Sequence, residues 1–154
     1  MDNESKRNTG ILDRANAAIL SRDFEQAARI YKGLLKSDPQ NVELLSSLGN
    51  LYVKSGDDEK ALAYFNEIIR IDSKNVEALN SLGGIYRRLK KYDDSISVLE
   101  RAVIADESNV QSFYNLGFTF KLMGKYDDAL NCFNRVVEEN PEDVLAFNHI
   151  GSIY

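Results

Sequence analysis

The sequence predicts an all-α fold of stacked helix-turn-helix repeats, on three observations. Several markers recur every 34 residues, apolar residues between them follow helical spacing, and only two prolines interrupt 154 residues. Asn41-Val42, Asn75-Val76 and Asn109-Val110 share one register, continued by Asp143-Val144. Leu48-Gly49, Leu82-Gly83 and Leu116-Gly117 share a second, followed by Ile150-Gly151. Tyr52, Tyr86, Phe120 and Tyr154 hold a third, and Pro39 and Pro141 lie three periods apart.

Each marker has a local reason. The Asn or Asp accepts from a free backbone N–H and so starts a first helix. Apolar residues then recur at helical spacing: Leu45, Leu48, Tyr52; Leu79, Leu82, Tyr86; Phe113, Leu116, Phe120. The glycine beside each Leu lets a second helix approach closely, which offsets its poor helix propensity. After a turn containing Gly56 or Gly124, the second helix opens on Asp57-Asp58, Asp93-Asp94 or Asp127-Asp128. Its apolar face reads Ala61, Phe65, Ile68; Ser95, Leu99, Ala102; Ala129, Phe133, Val136. One such pair cannot bury a face alone, whereas a stack of pairs makes a continuous core.

These residues resemble the tetratricopeptide-repeat family, whose pattern is W-x2-L-G-x2-Y, then A-x3-F, then P. The resemblance covers 42–75, 76–109 and 110–143 as full repeats and 8–41 as a looser one. In that first repeat Phe24, Ala27, Tyr31, Leu34 and Pro39 match, but Ala15 replaces the glycine. Residues 144–154 match only a first helix, so the expectation is a fifth repeat cut short, in an N-terminal piece of a longer protein. The resemblance implies a right-handed α-α superhelix, and the expected organisation is a single domain over 1–154.

Composition narrows the function. A net charge of −5 disfavours nucleic acid, which needs a cationic face. The single cysteine, Cys132, excludes an intramolecular disulfide and suits a reducing compartment. No apolar run approaches the roughly 18–20 residues that span a bilayer, and MDNESKRNTG lacks the apolar segment of a secretory signal. A cytoplasmic protein with no membrane association is expected. His149, the only histidine, has no nucleophile or acid at a recognisable catalytic spacing. The recurring Asp pairs serve helix dipoles rather than a metal. No enzyme activity, catalytic residue, cofactor or metal site is expected.

The resemblance implies that the first helices line a concave groove that holds another polypeptide. The groove residues carried over by register are Ser47, Asn50 and Lys54 in repeat two, Ser81, Arg87 and Arg88 in repeat three, and Tyr114, Asn115, Phe118 and Lys121 in repeat four. Ser47, Ser81, Asn115 and His149 form a row of short donors and acceptors suited to a ligand's backbone. Lys54, Arg87, Arg88 and Lys121 form a basic strip, with Tyr114 and Phe118 as aromatic surface beside it. The expected ligand is an extended segment with acidic side chains and an apolar anchor. Repeat domains that clamp the acidic C-terminal tails of heat-shock chaperones use lysines, asparagines and an arginine on three successive first helices. The equivalent positions counted from repeat one, Leu12, Asn16, Ser47, Glu77 and Ser81, hold no cation, nor do those shifted by one repeat, Ser46, Asn50, Ser81, Gln111 and Asn115, so that ligand is not expected.

A protein-interaction scaffold within a larger assembly is therefore the leading expectation. The alternatives are a regulatory region of a larger enzyme, such as a transferase or kinase, and a homo-oligomerisation module. Phe147, Ile150 and Tyr154 form an apolar stripe on the last helix, and self-association through it is expected.

Overall fold

The computed structural model describes residues 3–154, with side chains from Thr9 onward; Met1 and Asp2, which open the expected 1–154 span, lie outside the described residues. The described residues form nine α-helices and no strand: α1 (Asn3–Leu20), α2 (Phe24–Leu35), α3 (Val42–Ser55), α4 (Asp58–Ile71), α5 (Val76–Arg88), α6 (Tyr92–Ala105), α7 (Val110–Leu122), α8 (Tyr126–Glu139) and α9 (Val144–Gly151). Asn41, Asn75, Asn109 and Asp143 cap α3, α5, α7 and α9 as expected. Their side chains accept from the backbone N–H of Leu44, Ala78, Ser112 and Ala146.

The second helices start less uniformly. α6 and α8 begin at Tyr92 and Tyr126, behind Lys91 and Lys125, which make no side-chain cap bond. Asp93-Asp94 and Asp127-Asp128 therefore sit in the first turn, where carboxylates suit the helix dipole. In repeats one and two an acid does precede the helix: Asp23 accepts from the Gln26 N–H at 3.0 Å and Asp57 from the Lys60 N–H at 3.1 Å.

Every turn within a repeat carries one residue at positive φ: Arg22 at 61°, Gly56 at 82°, Lys90 at 59° and Gly124 at 73°. The following N–H then reaches back five residues, from Asp23 to Ala18, Asp57 to Tyr52, Lys91 to Tyr86 and Lys125 to Phe120. Glycine adopts this conformation freely, while a side chain there costs about 1–2 kcal/mol. Gly56 and Gly124 were legible in the sequence as turn residues. Arg22 and Lys90, which fill the same place under strain, were not.

The helices group into two compact units, one up to Ile71 and one from Asp72 to Tyr154. In the first, Ala15, Ala27, Leu45, Leu48, Ala61, Phe65 and Ile68 are buried. In the second, the core holds Leu79, Leu82, Leu99, Ala102, Leu116, Phe133 and Val136. Burying one such Leu or Phe contributes about 1.5–3 kcal/mol. Close helix approach depends on the Leu-Gly pairs. A Cβ on Gly83 would stand 2.5 Å from Leu99 Cγ, and one on Gly117 2.9 Å from Cys132 Cβ. Ser95 is fully buried where α4 and α8 carry Ala61 and Ala129. Its Oγ donates to the Gly83 carbonyl at 2.8 Å and lies 3.3 Å from Thr119 Oγ1, so one hydroxyl on α6 meets both α5 and α7.

Candidate functional site

The three predicted site residues of the first unit lie along α3. Ser47 donates its hydroxyl proton to the Glu43 carbonyl at 2.8 Å, one turn back, and keeps only acceptor capacity. Asn50 and Lys54 are exposed, with Lys54 in the last turn.

In the second unit a chain of polar side chains joins α5 to α7. The Asn109 Oδ1 that caps α7 also accepts from Ser112 Oγ at 2.9 Å. Ser112 Oγ in turn accepts from Asn80 Nδ2 at 2.8 Å, and Asn80 Oδ1 accepts from Asn115 Nδ2 at 3.1 Å. Ser112 is fully buried, so this chain is anchored in the core rather than laid on the surface. Above it opens a recess of 530 Å³ lined by Glu77, Asn80, Ser81, Gln111 and Asn115. Each amide carries two donors and an acceptor, so Asn80 and Asn115 retain donors, and Asn115 an acceptor, beyond the bonds they make to each other. Such a wall can pair with the backbone of an extended chain.

Next to the amides lies a cluster centred on His149. The Lys121 ammonium, which can only donate, stands 3.2 Å from His149 Nδ1. Nδ1 is therefore the unprotonated nitrogen, and Nε2–H donates to the Tyr114 oxygen at 2.9 Å. Burial first, and the Lys121 charge second, hold the His149 pKa below its ordinary value. The ring stacks on Phe133 at 5.0 Å and meets Phe118 and Tyr114 edge-on at 5.4 and 5.5 Å. Arg87 is half-buried; it donates to the Asn115 carbonyl at 3.3 Å and places its guanidinium carbon 5.0 Å from the centre of the Phe118 ring. Burial lowers its pKa without threatening its charge.

Of the predicted residues, Ser81 and Asn115 line the amide recess. Tyr114, Phe118 and Lys121 meet around His149, and Arg87 braces Phe118 from the preceding helix. Phe118 is expected from the sequence to face an open wall, with no packing partner in its own repeat. The structure gives it partners from the repeats on either side. Arg88 is exposed at the end of α5. On α9, Phe147 is exposed at 51%, Ile150 is half-buried, and Val144 and Leu145 extend the apolar surface; Tyr154, expected on this helix, lies three residues past its end and is exposed at 93%. The sequence reading assigned no role to Ser112 or to His149 as a hub. A pair spacing of 35 residues, one more than the period, joins Tyr114 to His149 as it joins Asn80 to Asn115, whereas Ser112 meets Asn80 across 32 and no repeat spacing marks it.

Cys132 is buried, and its thiol is pushed up to about 12 by that burial, leaving it an unreactive core residue. Among the described residues no group of three or more His, Cys, Asp or Glu side chains is placed to hold a metal ion. No helix among them is long and apolar enough to cross a membrane.

Three family models, each described as a tetratricopeptide repeat, match residues 12–76, 78–111 and 110–143. The fold is similar to that of MamA, at 28% identity over 91% of this chain and 82% of that one, with a TM-score of 0.82. It is also similar to YrrB, described as a TPR protein with an unusual peptide-binding site, at 25% identity over 94% of this chain and 74% of that one, TM-score 0.74. A third similar structure is the first TPR of Spaghetti (RPAP3) bound to HSP90 peptide SRMEEVD, at 25% identity over 74% of this chain and 93% of that one, TM-score 0.71. No curated protein sequence matches the chain.

Proposed function

We propose that this chain, which belongs to the tetratricopeptide-repeat family, is a non-catalytic interaction scaffold that binds an extended segment of a partner protein. The observation that carries the reading is the anchored amide wall of Asn80 and Asn115, which keeps bonding capacity facing a 530 Å³ recess. Peptide recognition by YrrB and by the RPAP3 domain supports it by analogy. The ligand carries acidic side chains and an apolar anchor. Glu77 stands in the amide recess at the start of α5, whereas Arg88 ends that helix, about 16 Å along the axis. The acidic side chains therefore lie toward Arg88 and Lys121, away from Glu77, while the segment's backbone crosses the amides. The chaperone tail gripped by the carboxylate clamp is not this ligand, because Leu12, Asn16, Ser47, Glu77 and Ser81 offer no cation to its carboxylates.

Selection from a displayed peptide library, followed by NMR mapping of the binders, tests the reading. Shifts centred on Asn80, Ser81, Gln111 and Asn115, lost in an Asn80→Ala/Asn115→Ala variant, support it. Binders that leave these signals unmoved overturn it.

A second reading, self-association, has its own observation in the exposed Phe147 and Tyr154 on and after α9. Light scattering across a dilution series tests it: the mass falls on dilution and becomes that of a monomer in Phe147→Ser. A mass independent of concentration overturns it.

A further inference from the structure

The first unit holds a recess of 620 Å³ between α2 and the α3–α4 turn. Four cations open onto it, Arg22, Arg29, Lys32 and Lys60, in a chain whose net charge is −5. Two of these are already matched. Lys60 pairs with Asp57 at 2.5 Å and Arg29 with Glu25 at 3.7 Å. The third carboxylate, Asp23, caps α2 by accepting from the Gln26 N–H. Arg22 and Lys32 are left with no carboxylate within ion-pairing distance among the described residues.

Both are held in place by specific features. Arg22 occupies a backbone conformation, φ 61°, that repeats two and four assign to glycine, and its guanidinium carbon lies 6.0 Å from the centre of the Phe24 ring. The Lys32 and Lys60 ammoniums lie 5.6 and 5.2 Å from the centre of the Tyr52 ring, which is stacked on Tyr64 at 5.6 Å. The neighbouring Tyr52 hydroxyl holds the Lys32 pKa above its ordinary value.

We propose that this recess binds an acidic peptide segment, one carboxylate of which bridges Arg22 and Lys32 against the Tyr52 floor. Four cations against three carboxylates leave a surplus of a single positive charge, which matches one carboxylate. A dianion such as a phosphoryl group would face Asp23, Glu25 and Asp57 at once. The volume exceeds what a carboxylate alone fills and has room for a neighbouring side chain along Phe24 and Ala28. The site does not depend on the amide wall of the second unit.

The isotope-labelled chain is titrated with a capped Glu-Glu-Leu tripeptide, and its Gln-Gln-Leu counterpart and inorganic phosphate serve as separate arms. The expected result is saturable shifts at Arg22, Lys32 and Tyr52 with the acidic tripeptide and none with the amide one. Arg22→Gly, which keeps the turn because Gly56 and Gly124 already fill that place, weakens binding about two- to fivefold. Lys32→Gln does the same. Equal shifts from the amide tripeptide, insensitivity to both variants, or larger shifts from phosphate at the same residues overturn the proposal. Shifts confined to Asn80 and Asn115 also overturn it, while leaving the amide-wall reading intact.

Discussion

Arg87 reaches 28 residues ahead to the Asn115 carbonyl, at 3.3 Å, and one repeat later Lys121 makes the same 28-residue step to His149, at 3.2 Å. The cations expected to wait for a ligand are thus also braces between successive first helices. On the proposed function, binding and stability would share residues on this wall.

Phe118 stands between Arg87 and His149, so Phe118→Ala loses both contacts. Thermal melts are expected to show a loss of about 1–3 kcal/mol, ordinary for a half-buried aromatic. Once a ligand is in hand, the same variant weakens binding more than Lys54→Ala does, because anchors carry affinity and rim charges set encounter rate. A melting point equal to the parent's would remove the bracing role.

Core positions respond through packing. Leu82→Ala, at a site 1% exposed, is expected to cost about 2–5 kcal/mol. Gly117→Leu forces a side chain where a Cβ alone would stand 2.9 Å from Cys132 Cβ, and is expected to cost about 1–3 kcal/mol or more. Denaturant titration measures both, and parent-like midpoints would refute the helix register.

Lys90→Gly should move stability the other way. Relief of positive φ is worth about 1–2 kcal/mol, offset by about 0.5–1 kcal/mol for the freer unfolded chain. The net gain is on the order of 0.5–1 kcal/mol, visible as a melting point raised by a few degrees. A lowered melting point would mean that the Lys90 side chain stabilises the turn by more than its backbone costs.

His149 makes the second unit sensitive to acid. Its pKa is depressed in the folded chain, so its contribution is complete above the ordinary value of 6.5 and is lost as pH falls toward the lower folded pKa. A protonated Nδ1 would also face the Lys121 ammonium donor to donor. Melting temperatures recorded from pH 7.5 down to pH 5 should fall, and His149→Phe, which keeps the stack on Phe133 but cannot titrate, should flatten the slope. Parallel slopes for the two proteins would show that carboxylates elsewhere set the acid response.

Periodic features were legible in the sequence because each has a local cause. A capping Asn needs only the N–H three residues on, and a buried Leu needs only its helical face. The positions of Ser81 and Asn115 followed from the same period. What the 34-residue register hid was the diagonal. Reading along rows places Ser47, Ser81, Asn115 and His149 in line, yet the bonds run from Asn80 to Asn115 and from Arg87 to Asn115. Side chains lean along a helix and long ones reach further, so partners on neighbouring helices are displaced from strict register, by one residue for Asn80 and by six, nearly two turns, for Arg87. Nor could Arg22 and Lys90 be read as left-handed, since nothing in either side chain announces a positive φ.

The hydroxyl of Ser95 bears on how a chain of look-alike helices avoids misassembly. α4, α6 and α8 are interchangeable in length and apolar pattern, and during folding each competes for the seats of the others. Ser95 Oγ finds both the Gly83 carbonyl and Thr119 only in its own seat. Docked in place of α4 or α8, it would still find a glycine carbonyl, of Gly49 or Gly117, at the same 12-residue step. It would meet Ile85 or Ile153 where Thr119 stands, so the wrong seat loses the hydroxyl–hydroxyl contact. One oxygen atom serves as an address, biasing α6 against the wrong neighbour even where it adds little to the stability of the right one.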